Sequence, residues 1–274
     1  MSRITVPKTY KLYINGKFPR TESGRSTVVK NQKGEIAAHI CRASRKDLRV
    51  AVESAQHAHE VWTNNSTYLK GQILFRMAEM LEARREEFAA AIQVTSKSTI
   101  SQARKEVDAS VDSIVSFAGW TDKIHQLLGC VNSVNGEYYN FTIPQSQGVV
   151  AVIAPQSPSL LAFVSMICEP LCAGNSVVVI GSNAHPLPTA IFGEICQTSD
   201  VPAGVINVLT GFNHELLEHV ATHRGIACVY SSGLNKKERV LLEQSGSDSM
   251  KRIKYLELDT SDWHDLTKTA SPWN

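Results

Sequence analysis

The sequence lacks the features that mark several protein classes. Its apolar runs, such as residues 148–155, are much shorter than the roughly 20 residues of a membrane-spanning helix. The opening residues 1–8 contain no apolar stretch of the kind found in secretory signals. Lys and Arg number 28 against 26 Asp and Glu, which is far from the basic excess of a nucleic-acid binder. We therefore predict a globular protein with neither a membrane nor a nucleic acid as its partner.

Cysteine occurs six times, but in no pattern that indicates cross-links. No Cys-x-x-Cys pair is present, and a chain of 274 residues can bury a sizeable core without disulfides. Free thiols are typical of reducing compartments. The sequence therefore predicts a cytoplasmic protein with reduced cysteines.

Common catalytic and metal-binding motifs are also missing. There is no Gly-x-Gly-x-x-Gly after a strand, no phosphate-binding P-loop and no Gly-x-Ser-x-Gly. His214 and His219 are five residues apart, which places them on different faces of a helix. His219 and His223 have the spacing of metal ligands, but no third ligand is evident, so we predict no metal site. Cys168 and Cys172, also four apart, are interpreted as helix-packing residues.

Residues 8–129 are predicted to be mainly helical after a short hairpin. An Asn-Gly pair at 15–16 between apolar residues is typical of a tight turn. Ser44 followed three residues later by Asp47 indicates a capping box. The predicted elements are a hairpin at 12–18, a helix from residue 45 to about Trp62, a helix over 68–94, and a helix with an apolar stripe of Val107, Val111, Ile114, Val115 and Ala118.

Residues 130–147 predict a second hairpin. A turn signal at 134–136 precedes the strand-like segment 138–143. Two interpretations stay open at this stage. The hairpin either protrudes from its domain or packs on it as an ordinary surface hairpin.

After Gly148, β-branched runs alternate with segments of helical length. This alternation predicts a Rossmann-like α/β core with a parallel sheet of about five strands and flanking helices. Ligands of such sheets bind at the carboxyl ends of the strands. The predicted strands are 149–153, 176–180, 205–209, 226–230 and 253–258.

Taken in order, several segments resemble the amino-terminal, NAD-binding portion of the aldehyde dehydrogenase superfamily. Each is a weak signal, but their order over most of the chain is specific. The matching segments are Leu-Tyr-Ile-Asn-Gly-Lys at 12–17, Gly-Val-Val-Ala-Val-Ile-Ala-Pro at 148–155, Leu-Cys-Ala-Gly-Asn-Ser-Val-Val-Val at 171–179, Val-Pro-Ala-Gly-Val-Ile-Asn-Val-Leu-Thr-Gly at 201–211, and Lys-Arg-Ile-Lys-Tyr-Leu-Glu-Leu at 251–258.

The resemblance implies a catalytic apparatus that is largely missing here. In the family, a cysteine thiolate attacks the aldehyde, a glutamate acts as general base, an asparagine stabilises the oxyanion, and NAD accepts hydride. Glu257 matches the general-base position, and Ser157 stands where the oxyanion asparagine is expected. No cysteine matches the nucleophile's motif, and none follows Glu257. The resemblance therefore predicts that the catalytic domain is absent and that Glu257 is vestigial.

The positions that hold NAD in the family are degenerate as well. Ile180 and Asn183 stand where a lysine and a glutamate would bind the adenosine ribose, with Ser182 between them. Ser232 and Gly233 correspond loosely to the segment that faces the pyrophosphate, where a helix start could still attract an anion. We predict weak or absent NAD binding.

The predicted organisation is a single domain over 1–274. Its parts are the hairpin and helices of 8–129, an oligomerisation-type hairpin at 130–147, the Rossmann-like core of 148–260 and a tail at 261–274.

Three functional hypotheses follow. The first is a non-catalytic structural or regulatory subunit, similar to the degenerate second module of two-module aldehyde dehydrogenases. Its partner would be a complete aldehyde dehydrogenase, bound through the 130–147 hairpin, and the surface towards the absent domain would be unusually apolar. The second is an NAD-binding subunit of a split aldehyde oxidoreductase. The third is an unrelated small-molecule-binding Rossmann domain.

Overall fold

The computed structural model describes residues 6–257. The predicted tail at 261–274 and the end of the core beyond 257 lie outside this range. The strands are β1 (Lys8–Tyr10), β2 (Ser26–Lys30), β3 (Ile36–Cys41), β4 (Cys130–Asn132), β5 (Asn140–Thr142), β6 (Val149–Ile153), β7 (Ser176–Ile180), β8 (Ile206–Leu209), β9 (Cys228–Ser232) and β10 (Arg252–Leu256). The helices are α1 (Arg45–Asn64), α2 (Thr67–Ala83), α3 (Arg85–Thr95), α4 (Ile100–Trp120), α5 (Ile124–Leu128), α6 (Leu161–Cys172), α7 (Pro186–Thr198), α8 (Asn213–Thr222) and α9 (Lys236–Gly246).

A five-stranded parallel sheet forms the centre of the structure, which confirms the predicted fold class. The strand order is β10-β9-β6-β7-β8. Every residue of β6, β7, β8 and β9 is buried, as expected for strands covered on both faces. The predicted start of β8 is one residue too early, and that of β9 is two residues too early.

Helices cover both faces of this sheet and create two separate hydrophobic cores. Val150 and Val177 project towards the layer that contains α2, α3, α4, α6 and α7. Val149 and Val178 project to the opposite side, where α1, α8 and α9 pack. This alternation follows from the two-residue period of a strand, because adjacent side chains point to opposite faces.

The predicted helix over 68–94 is in fact two helices. Arg84 interrupts it with φ −109° and ψ 21°, and its guanidinium pairs with Glu87 and Glu194. The predicted apolar stripe of α4 is also partly wrong. Val107 and Ile114 are fully buried, but Val115 is 40% exposed.

The mainly helical prediction for the first third missed a three-stranded sheet with the order β1-β3-β2. β3 pairs parallel with β1 and antiparallel with β2. The predicted tight turn is confirmed, because Asn15 and Gly16 have φ of 52° and 69° and Ile14 bridges to Lys17. Tyr13 next to this turn pairs with Val208, so the amino-terminal segment covers the β8 edge of the main sheet.

The capping box at the start of α1 is confirmed and extends further than predicted. Asp47 accepts hydrogen bonds from the backbone N–H and the hydroxyl of Ser44, at 2.7 and 2.8 Å. It also accepts from the Thr21 hydroxyl at 2.6 Å and from the backbone N–H of Glu22 at 3.1 Å. A single buried carboxylate therefore both caps the helix and holds the loop before β2.

The hairpin of 130–147 consists of β4 and β5, paired antiparallel. Its strands are shorter than predicted, but its apolar side chains do not pack on its own domain, since Tyr138 and Tyr139 are 79% and 75% exposed. The base of the hairpin is fixed to α1, because the hydroxyls of Ser146 and Thr63 lie 2.8 Å apart. The structure therefore shows a protruding hairpin with an anchored base.

We expect Asp47→Ala to lower the free energy of unfolding by about 2–4 kcal/mol, because the hydrogen bonds that its carboxylate accepts from Ser44 and from the loop disappear together. Urea unfolding followed by circular dichroism measures the change. Asp112→Ala, at an exposed position of α4, is the matched control and should change stability by less than about 0.5 kcal/mol. Equal effects of the two substitutions would show that Asp47 has no special role.

Candidate functional site

The strand order places a crevice at the carboxyl edge of the main sheet. The chain runs from the central β6 outwards to β7 and β8, and then returns to β9 and β10 on the other side of β6. At such a switch point, the loops after the two central strands diverge and leave room for a ligand. Pro155 and Gly233 line this point. A Cβ on Gly233 would lie 3.3 Å from the Cβ of Pro155, and its φ is +73°. Glycine therefore suits this position.

The loop after β6 is joined to the loop after β7 by a side chain that sequence reasoning did not single out. The Gln156 Oε1 atom accepts a hydrogen bond from the backbone N–H of Ala184 at 2.9 Å. The same oxygen lies 3.1 Å from the hydroxyl of Ser182, which is a predicted cofactor-binding residue. That hydroxyl also accepts from the backbone N–H of His185 at 3.0 Å. Ser182 is buried, and its hydroxyl is engaged within the protein.

The two positions expected to hold a ribose differ in environment. Ile180 is the last residue of β7 and is buried in the core beneath α1 and α8. Asn183 is exposed at the edge of the sheet. Neither presents a charged group, so the loop after β7 lacks the charge-assisted hydrogen bonds that a ribose would receive.

The start of α9, the predicted anion-attracting position, is occupied by its own cap. The Asn235 Oδ1 atom accepts from the backbone N–H groups of Lys237 and Glu238, at 3.0 and 3.1 Å. The Glu238 carboxylate accepts in return from the backbone N–H of Asn235 at 3.0 Å. Two of the donors that would meet a phosphate are thus satisfied, and a carboxylate lies beside them. Ser232 is the last, buried residue of β9 and precedes this turn.

The start of α6 is also hydrogen-bonded to a carboxylate of the protein. Glu106, on α4, accepts a hydrogen bond from the backbone N–H of Leu160 at 2.8 Å. Ser157 lies three residues earlier and is exposed. Glu106 belongs to a distant part of the sequence, and no local pattern links it to this helix start.

Glu257 lies on a different part of the edge from Ser157. It follows β10, which is two strands away from β6, a separation of about 10 Å in a sheet. Its side chain is 71% exposed and pairs with Arg239 of α9. The structure does not bring the two predicted catalytic positions together within hydrogen-bonding distance.

The cysteines do not supply a nucleophile at this edge. Burial raises the pKa of the thiols of Cys168, Cys172, Cys196 and Cys228, so these remain protonated at neutral pH. Cys130 is exposed on the hairpin strand β4. The packing interpretation of Cys168 and Cys172 is confirmed by their burial in the core.

Neither a metal cluster nor a membrane span is found in the part of the chain that the structure describes. Residues 6–257 hold no group of three or more His, Cys, Asp or Glu side chains placed to bind a metal ion. Within the same residues, no helix is long and apolar enough to cross a membrane.

The apolar surface predicted towards the absent domain stays a prediction, and the carboxyl edge described here is polar. The edge exposes polar groups, among them Asn183, Asn235 and Glu257. The exposed large hydrophobic side chains among the described residues lie elsewhere, chiefly on the hairpin and along α2. The polar groups of the loops at this edge either pair with one another or face solvent, as is usual for surface loops.

Comparisons with known proteins agree with this architecture. Residues 18–264 match the profile of the Aldehyde dehydrogenase family. Retinal dehydrogenase 2 of Gallus gallus is 31% identical over 251 residues, which cover 90% of this chain and 48% of the relative. Benzaldehyde dehydrogenase, mitochondrial, of Antirrhinum majus is 27% identical over 247 residues, covering 89% of this chain and 46% of the relative.

Solved structures show the same correspondence. A putative aldehyde dehydrogenase from Burkholderia cenocepacia superposes with a TM-score of 0.84 at 27% identity, over 90% of this chain and 50% of that one. The NAD+ complex of an aldehyde dehydrogenase from Bacillus cereus superposes with a TM-score of 0.85 at 24% identity, over the same shares. The chain spans about half the length of the curated relatives it matches. It belongs to the aldehyde dehydrogenase family and corresponds to the amino-terminal half of these relatives.

Proposed function

We propose that this chain is a non-catalytic member of its family that serves as a structural or regulatory partner of a complete aldehyde dehydrogenase. Family membership removes the alternative of an unrelated small-molecule-binding Rossmann domain. The proposal rests on one observation: polar groups at the carboxyl edge of the sheet form hydrogen bonds with other groups of the protein. Asn235 caps α9, and Gln156 engages the loop after β7.

The residues at this edge do not fit NAD well. A dinucleotide needs free backbone donors at a helix start and polar groups for its ribose. Here the Asn235 side chain takes two such donors, Ile180 is apolar, and the Ser182 hydroxyl bonds to protein. Binding would require these contacts to break first, and that cost lowers the affinity.

The partner proposal is supported by the hairpin. Its side chains Tyr138, Tyr139, Phe141 and Ile143 are exposed on a two-stranded ribbon with unpaired edges. An edge of this kind gains stability when it pairs with a strand of another chain. We assign the protein to the cytoplasm, since its six cysteines are free thiols.

We expect wild-type protein to bind NAD with a Kd above about 1 mM in calorimetry. The variant Asn183→Glu, at an exposed position of the loop after β7, should bind about tenfold more tightly, because a charge-assisted hydrogen bond contributes about 1.5–3 kcal/mol. Ala184→Glu, an exposed neighbour with the same new charge, should show no gain. A wild-type Kd of about 1 μM would favour the split-oxidoreductase hypothesis instead.

We also expect no aldehyde oxidation by the purified chain of 274 residues. No thiol lies beside Glu257, and loss of the nucleophile alone costs several orders of magnitude in covalent mechanisms. The appearance of NADH absorbance with short aliphatic aldehydes measures activity. Turnover that persists in a variant with all six cysteines replaced by serine would show chemistry independent of a thiol, and the proposal would fail.

The third expectation concerns assembly. When co-expressed with a complete aldehyde dehydrogenase, the wild-type chain should elute with it in size-exclusion chromatography with light scattering. Replacing the exposed hairpin aromatics Tyr138, Tyr139 and Phe141 by serine should abolish this, since the apolar contact area is lost. Tyr68→Ser/Phe75→Ser, which removes exposed aromatics from α2, is the control and should co-elute.

Two outcomes of this experiment would contradict the partner proposal. One is a wild-type chain that stays a soluble monomer in the presence of every aldehyde dehydrogenase tested. The other is a hairpin variant that co-elutes as well as the wild type does.

A further inference from the structure

Positive charge is concentrated at one end of the chain. Residues 6–49 contain eleven Lys and Arg but only three Asp and Glu, whereas the whole chain is nearly balanced. The three acids are engaged within the segment: Glu22 pairs with Lys46, while Glu35 and Asp47 accept hydrogen bonds from neighbouring residues. The segment therefore carries a positive excess that its own acids do not neutralise.

A concave site of about 380 Å³ lies within this segment, on the outer face of the small sheet. Ala38 and Ile40 of β3 face one core, and His39 lines the cavity on the opposite face of the strand. Cys41 also borders the cavity, but it is buried in the second core. The strand register places Thr9 beside His39 and Ser26 beside Cys41. The floor of the cavity therefore presents two hydroxyls and an imidazole, with the buried Cys41 beside them.

The wall of the cavity is the loop before β2, which carries Arg20 and Arg25. This loop is fixed from behind, because the buried Asp47 carboxylate accepts from the Thr21 hydroxyl and the Glu22 backbone. The two arginines thus project from an ordered loop. A site that is already ordered loses less conformational entropy when a ligand binds.

Several donors around the cavity are unused. Within residues 6–257, no hydrogen bond or ion pair is formed by the side chains of Arg20, His39, Thr9 and Ser26. The Nε atom of Arg25 donates a hydrogen bond to the Ser23 hydroxyl. Its Nη1 atom lies 3.5 Å from the carboxylate of Glu215.

We propose that this cavity binds the phosphate group of a small phosphorylated molecule. The guanidinium of Arg20 offers paired donors that match phosphate oxygens, Arg25 adds positive charge and its Nη2 donors, and the hydroxyls of the floor supply further donors. The volume is within the range of small-molecule sites, so an organic group fits beside the phosphate. The site lies on a different sheet from the carboxyl edge described above, and the proposal is independent of the proposed function.

The test is calorimetric titration of the full chain with glycerol phosphate, inorganic phosphate and acetate. Glycerol phosphate should bind, inorganic phosphate should bind more weakly, and acetate should not bind, because a carboxylate has fewer acceptor oxygens and half the charge. Equal binding of the two phosphates would assign the site to free phosphate and overturn the part of the proposal that concerns the organic group.

Two charge-matched variants complete the test. Arg20→Gln/Arg25→Gln should weaken glycerol phosphate binding by at least about tenfold, because it removes the guanidinium donors and their charge. Lys33→Gln/Arg45→Gln removes the same charge from exposed positions outside the cavity and should change the Kd by less than about twofold. All four side chains are exposed, and equal melting temperatures confirm that the variants are folded.

An equal loss in both variants would indicate general attraction of anions to the positive segment and would overturn the proposal. The absence of any heat with glycerol phosphate in the wild-type protein would overturn it as well.

Discussion

The burial of the central strands on both faces is the constraint on which the rest of the structure depends. Backbone N–H and C=O groups in a dry interior must be paired, and a parallel sheet pairs them only when its neighbouring strands are in register. β6 and β7 achieve this over five residues each, with Val, Ile and Ala filling both cores. Helices must then cover both faces, and the connecting loops are gathered at the edges. The crevice beside Gly233 is a consequence of this arrangement.

The polar groups at the carboxyl edge pair mainly with each other. Gln156 engages the loop after β7, Asn235 caps α9, and Glu106 accepts from the start of α6. Each contact stabilises the folded chain and at the same time uses a donor that an anionic ligand would need. In this family member, the hydrogen bonds at that edge contribute to the stability of the fold. This is the physical basis for proposing a non-catalytic role.

The features that face outwards are found elsewhere on the molecule. The hairpin exposes aromatic side chains on a ribbon with unpaired edges, and the small amino-terminal sheet carries a concave, positively charged surface. The two surfaces differ in chemistry, because one is apolar and the other offers guanidinium and hydroxyl donors. The proposed protein partner and the proposed small anion would therefore contact separate regions.

The sequence by itself determined the elements whose signals are local. The alternation after Gly148 predicted the parallel sheet, the Asn-Gly pair predicted the tight turn, and the capping box at Ser44 predicted the start of α1. Each of these depends on residues within a few positions of one another. The family positions assigned to Ile180, Asn183 and Glu257 come from the resemblance of the segments around them and stay predictions.

Only the tertiary structure decided the features that depend on distant residues. β3 is stabilised by strands on both sides, one of them paired in parallel, which local propensity does not reveal. Glu106 reaches the start of α6 from another helix, and Gln156 meets Ser182 across two loops. The balanced net charge concealed the positive segment of 6–49, whose cavity forms only when Arg20 and Arg25 are folded over the small sheet. Contacts of this kind arise from packing, and residues so far apart in the sequence leave no periodic pattern in it.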